Sequence, residues 1–154
     1  MRAMDDRPLW TCPSCGQSFV TRNMAHSCCR LTEDAFFAGR EPQQALYRAF
    51  LAFVERCGPV TVNVNKTRIS FQGRARFASV NRVIRDGLAC HVWLKRRLES
   101  PRFTRIEHLP PGDYVHNFRL TDAADLDAEM AAWLAEAYEV GMQRWRPSAA
   151  PGEK

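Results

Sequence analysis

The sequence predicts an α+β fold: a small cysteine-rich knuckle, then an antiparallel sheet of five or six strands packed on two main helices. Three observations predict it. Cysteines and a histidine cluster in the first 30 residues, apolar residues recur at helical spacing near residues 46–57, and from residue 60 the apolar period switches to two. A chain of 154 residues suits one modest domain with a small accessory. The expected division is a knuckle over residues 1–30, an α+β domain over 31–146 and a disordered tail over 147–154.

The knuckle rests on Cys12-Pro13-Ser14-Cys15 followed by His26-Ser27-Cys28-Cys29. A Cys-x-x-Cys turn lets two thiolates reach one ion, and a tetrahedral structural zinc site takes sulfur and imidazole nitrogen. Cys12, Cys15 and His26 are three expected ligands, and either Cys28 or Cys29 completes the set. Four filled positions leave no open catalytic one. Gly16 supplies the positive φ that such a turn needs. The competing reading, a redox Cys-x-x-Cys, calls for a helix start after a strand, and no such context precedes residue 12. With so little apolar content around it, this segment needs its metal to fold.

Thr32-Glu33-Asp34 then reads as an N-cap with acids in the first turn, stopped at Gly39. A longer helix opens at Glu41-Pro42 and ends at Gly58-Pro59, with Leu46, Phe50, Phe53, Val54 and Cys57 on its apolar stripe. Alternation at 60–65, 68–74, 88–95 and 114–120 predicts strands with one packed and one wet face, and less regular strands are expected at 76–83 and 104–109. Thr121-Asp122 caps a last helix of about 22 residues, whose stripe runs through Leu126, Met130, Trp133, Leu134, Ala137, Tyr138 and Gly141.

No run long and apolar enough to span a membrane occurs, and the first residues show no apolar leader. A cytoplasmic location is the default expectation, and there cysteines serve metals more often than disulfides. The net charge is +5, unevenly placed: residues 60–120 hold 12 Lys/Arg against 4 Asp/Glu, while residues 121–154 hold 3 against 7. The basic character therefore belongs to the strands.

Period two puts Thr61, Asn63, Asn65, Arg68, Ser70, Gln72, Arg74, His91, Trp93, Lys95, Asn117 and Arg119 opposite the apolar positions. A cationic face bearing amides and an indole suits nucleic acid or another polyanion. Lys66, Arg68, Arg74 and Lys95 meet phosphate in this reading, Arg119 belongs to the same binding face, Trp93 stacks, and His91 tunes affinity with pH. The bland reading of the same residues is a solvated sheet face. A small-molecule or anion pocket on that face, with His91 and Glu107 in acid–base roles, is the alternative, and a protein-interaction adaptor whose knuckle holds the partner is a third. His108 and His116 share apolar registers and read as buried, and Cys57 and Cys90 read as core. No catalytic residue is assigned, since no P-loop, dinucleotide fingerprint, nucleophile elbow or HExxH occurs.

Taken together, LWTCPSCGQSF, HSC, GPVTVNVNKTRISFQ, HVWLKRRLESPRFTRIE and YVHNFRLT resemble an uncharacterised bacterial family. Its members join a Cys-x-x-Cys…His-x-Cys segment to a small α+β domain of unknown function, and the resemblance covers roughly residues 9–145. It implies Cys12, Cys15, His26 and Cys28 as the metal ligands, and aligns Lys66-Thr67-Arg68 and Pro101-Arg102-Phe103 with family elements. The chain departs from the family pattern at Cys29, where glycine is usual, and at Asn117, where a second histidine is.

Overall fold

Thr32 opens the first helix by accepting a hydrogen bond from Ala35 N at 3.1 Å, so one orphan amide of α1 (Glu33–Phe36) is satisfied at its start. The computed structural model that shows this describes residues 7–26, 28 and 30–147. Cys29 and residues 148–154, most of the expected tail, lie outside the described residues. The N-terminal segment forms a two-stranded hairpin, β1 (Trp10–Thr11) with β2 (Ser18–Phe19). Helix α2 (Glu41–Glu55) follows α1, with Pro42 in its first turn where no intrahelical donor is needed.

Six strands follow: β3 (Thr61–Val64), β4 (Ile69–Gln72), β5 (Arg76–Ile84), β6 (Gly87–Leu94), β7 (Phe103–Leu109) and β8 (Asp113–Leu120). They form one antiparallel sheet in the order β3-β4-β5-β6-β8-β7. Strand β8 is inserted between β6 and β7, which sets His91 opposite Asn117. The fold is α+β, as expected, and the two less regular strands are both present.

One face of the sheet is the core. Phe50 of α2 meets Phe71 and Phe118, with ring centroids 5.6 and 6.3 Å apart. The closing helix α3 (Ala128–Gly141) brings Trp133 to Phe118 at 5.7 Å and Tyr138 to Phe77 at 5.4 Å. Both helices therefore cover the same side, where Ile69, Ala78, Val80, Cys90, Val92 and Leu120 are buried with them. Burying one such phenylalanine contributes about 2–3 kcal/mol.

Two expectations need correction. The last helix is not one run of about 22 residues: Asp122 caps a short 3-10 turn (Ala123–Asp125), and Asp127 recaps α3, accepting from Met130 N at 3.0 Å. Two closely spaced aspartates each offer the backbone a local acceptor, so the chain starts twice. His108 is exposed rather than buried, because β7 is an edge strand; its ring stacks on Tyr114 with centroids 4.5 Å apart. His116 is fully buried, and Leu98 N donates to its Nε2 at 2.9 Å.

Candidate metal centre and ligand cleft

The hairpin turn builds the candidate metal centre. Gly16, at φ 79°, lets its own N–H donate to Cys12 O (2.9 Å), while Cys12 N donates to Gln17 O (2.8 Å). Cys12 and Cys15 are thereby turned inward, and the segment after β2 brings in His26 and Cys28. The donor atoms of Cys12, Cys15, His26 and Cys28 all lie within 4.8 Å of one another. Cys12 Sγ is 3.8 Å from Cys28 Sγ, and His26 Nε2 is 3.4 Å from Cys15 Sγ and 3.5 Å from Cys28 Sγ. A tetrahedral ion with bonds of about 2.0–2.3 Å places its donors about 3.5–3.8 Å apart. These four residues fit a four-coordinate metal.

The surroundings are those of a metal ligand set. His26 Nδ1 donates to Met24 O at 2.6 Å, which fixes the tautomer and leaves Nε2 as the ligand atom. Gln17 Nε2 donates to Cys15 Sγ at 3.1 Å. The Cys12 thiol is drawn down to about 6, first by the backbone N–H of Cys15 and then by that of Ser14, while Cys28 is pushed up to about 11, first by its neighbour Cys12. Crowded thiols that cannot all ionise by themselves are what a bound cation resolves. Phe19 packs on the His26 ring at 4.5 Å and Trp10 stands 6.1 Å away, so the knuckle's few apolar groups surround the centre.

This knuckle sits on the outer face of the sheet, away from the helices. Gln72 Nε2 donates to Ser18 O, Arg74 Nη2 to Arg7 O, and Leu31 N to Val64 O. Gln72 also accepts from Asn63 Nδ2 at 3.0 Å. The face expected to be wet is therefore largely covered: Asn63, Ser70, Gln72 and His91 are all buried. Alternation identified which side these residues take, but not that another part of the chain lies over them.

Across this face the register aligns Asn63, Ser70, Ser79, His91, Asn117 and Arg105 in one row. His91 Nδ1 donates to Asn81 Oδ1 at 2.8 Å, and Asn81 also accepts from Ser79 Oγ at 2.8 Å. Asn81 Nδ2 continues to Asn117 Oδ1 (3.3 Å), and Asn117 Nδ2 to Glu107 Oε2 (3.0 Å). His91 and Glu107 are thus joined through two amides rather than in contact. Amides do not titrate, so this row orients groups and carries no proton between the two. Burial first, then the charges of Arg76 and Arg68, pushes the His91 pKa down to about 3. The imidazole is neutral at physiological pH, which corrects the expectation that it tunes affinity there.

The remaining expected binding residues divide. Lys66 and Arg119 are exposed, and Arg68 is half-buried. Lys95 Nζ pairs with Asp113 Oδ1 at 2.6 Å, and Arg74 is held by Gln143 Oε1 at 2.8 Å and by Arg7 O, so neither stands as a free cation. Trp93 is half-buried, its ring 6.4 Å from that of His91. Sequence reasoning missed Arg76, Ser79, Asn81 and Trp145. Register shifts at Phe71/Gln72 and at Val80/Arg82 break the period of two around β5, which is why Arg76 and Asn81 did not stand out.

Between knuckle and sheet runs a cleft with two lobes. One, of about 290 Å³, is lined by Phe19, Met24 and His26 above and by Asn63, Ser70 and Gln72 below. The other, of about 690 Å³, is lined by Trp93, Trp145, Lys95, Asp113 and Arg7. Arg76 and Gln143 line both. Solvent reaches Arg76, yet burial lowers its pKa from the usual arginine value and the charge of Arg68 lowers it further. It remains a cation. Neither Arg68 nor Arg76 has a carboxylate partner among the described residues.

Fold and site together define a six-stranded α+β domain with a Cys₃His knuckle, able to hold a metal ion, docked on its sheet. The chain belongs to the family described as a domain of unknown function, DUF5655, whose model matches residues 33–141. The match takes in both main helices and the whole sheet; the four metal-site residues precede it. Neither a curated protein nor a solved structure matches the chain.

Proposed function

We propose that this protein is a zinc-organised binding module for a compact anionic ligand, held in the cleft between knuckle and sheet. The observation that carries the reading is Arg76: it lines both lobes of the cleft, has no carboxylate partner among the described residues, and feels the charge of Arg68, which likewise lacks one there. Two like charges held together without a counter-ion repel each other, and an anion placed between them relieves that cost. Phosphate or carboxylate suits the planar, forked guanidinium donors. The second N–H of Asn63 Nδ2 and the hydroxyl of Ser70 supply neutral hydrogen bonds alongside, while Gln72 is already held by Ser18 O, Arg74 O and Asn63.

Zinc is the metal that a closed set of three thiolates and one imidazole favours, and its role here is structural. It holds His26, Met24 and Phe19 as one wall of the cleft. Elemental analysis of purified protein is expected to return one zinc per chain, lost in Cys12→Ser/Cys15→Ser.

A second reading, contact with a nucleic-acid strand, is favoured by the exposed cations Lys66, Arg82 and Arg119 around the same face. Calorimetric titration of zinc-loaded protein with inorganic phosphate, pyrophosphate, small carboxylates and short oligonucleotides separates the two readings. A compact ligand whose binding is lost in Arg68→Ala/Arg76→Ala supports the cleft. Binding of oligonucleotides alone, with a steep loss in salt, supports the strand. No binding to any of them sinks both.

A further inference from the structure

The larger lobe of the cleft carries a second kind of recognition. Trp93 and Trp145 both line it, from strand β6 and from the segment after α3. Both indoles are only half-buried. Trp93 has one aromatic neighbour, His91, and Trp145 has none among the described residues. Two large apolar rings left partly in solvent, with so few ring contacts, offer apolar area that a ligand could cover.

The charges around them are cationic. Arg7, Arg76 and Lys95 line the lobe against a single acid, Asp113, and Lys95 already neutralises that acid at 2.6 Å. A ligand that satisfies this lobe presents a planar apolar ring to the indoles and a negative group to the arginine. A volume of about 690 Å³ admits one such unit and not a folded partner. Gln143, which lines both lobes, places an amide between the ring end and the anionic end.

We infer that the cleft binds a nucleoside phosphate, with the base against Trp93 and Trp145 and the phosphate at Arg76. This rests on the anion-binding reading above and names its ligand class. Base–indole stacking tolerates any base, because every base has a π-face, so the site selects for a nucleotide unit rather than for a sequence. The unit can come from two sources, a free mononucleotide or one residue of a single strand, and the chemistry recognised is the same.

The test compares inorganic phosphate, adenosine 5′-monophosphate and a short oligothymidylate on zinc-loaded protein, by calorimetry and by tryptophan fluorescence. The mononucleotide is expected to bind at least about ten-fold tighter than inorganic phosphate, a gain of about 1.4 kcal/mol. Trp93→Leu and, separately, Trp145→Leu are expected to erase that gain while leaving inorganic phosphate binding unchanged; Arg76→Ala is expected to weaken both ligands. Trp145 lies outside the sheet, so its variant keeps the test open should Trp93→Leu fail to fold. A strand that binds tighter than the mononucleotide supports the inference and names the source. Equal affinity for phosphate and mononucleotide overturns the inference and leaves the anion site standing. Binding of neither overturns both.

Discussion

His91 shows how a single side chain changes meaning between sequence and fold. On an alternating strand it is a candidate switch; in the fold it is a neutral, buried imidazole tied to Asn81 and flanked by Arg68 and Arg76. The folded pKa, about 3, lies below the ordinary histidine value, so between those two values the unfolded chain binds the extra proton. The stability that His91 contributes is therefore fully present above about pH 6.5 and is lost as pH falls toward 3. From pH 7 to pH 5 that loss is about 2 kcal/mol. Denaturant melts at the two pH values are expected to show it in the wild type, and His91→Gln is expected to remove that part of the slope. An unchanged slope in the variant would show that His91 takes up its proton alike in the folded and unfolded chain.

Among the elements, α3 depends on its two ends. Asp127 caps it through Met130 N and also pairs with Arg102 Nη1 at 3.0 Å. Asp127→Ala is expected to cost about 1 kcal/mol, mostly the cap, because the ion pair is largely exposed. At the other end Gly141 lies against β5: a Cβ there would stand 2.7 Å from Phe77 Cδ1 and 3.0 Å from Ala75 O. Its carbonyl also accepts from Arg74 N and Ala75 N, at 2.9 and 2.8 Å. Gly141→Ala is expected to destabilise by about 1–3 kcal/mol through overpacking, read from the urea midpoint. A neutral result would mean that Phe77 can swing aside. Since this contact sets the β4–β5 turn, the same variant is expected to weaken ligand binding at Arg76.

For the molecule as a whole, the two faces of the sheet answer to different forces. The helices bury the inner face through apolar contact, whereas the knuckle, organised around a Cys₃His group that could hold a metal, covers the outer face through a few hydrogen bonds. On the zinc reading proposed above, the core is expected to be independent of the metal and the cleft to depend on it. Chelation of zinc-loaded protein is expected to leave far-ultraviolet dichroism nearly intact, to expose residues 7–30 to limited proteolysis, and to abolish anion binding. Cooperative loss of all secondary structure on chelation would instead make the knuckle part of the folding unit.

Much was legible in the chain alone. The α+β class, the strands, the capped and proline-started helices and three of the four residues of the Cys/His cluster follow from local rules: period, turn chemistry and ligand spacing act over a few neighbours, while the fourth, Cys28, came from the family resemblance. Cys12, Cys15 and His26 were identified because a metal needs given atoms at short separations along the chain. Arg76, Asn81 and Trp145 were not, because β-bulges hide a register that only pairing with β4 and β6 reveals, and because nothing in a segment after a helix says which face it returns to. Tertiary structure alone decided that β8 lies beside β6, that the knuckle closes over the polar face, and that His91 is desolvated there. Those outcomes depend on contacts between residues dozens of positions apart, and burial, which sets charge and pKa, is a property of the packed whole.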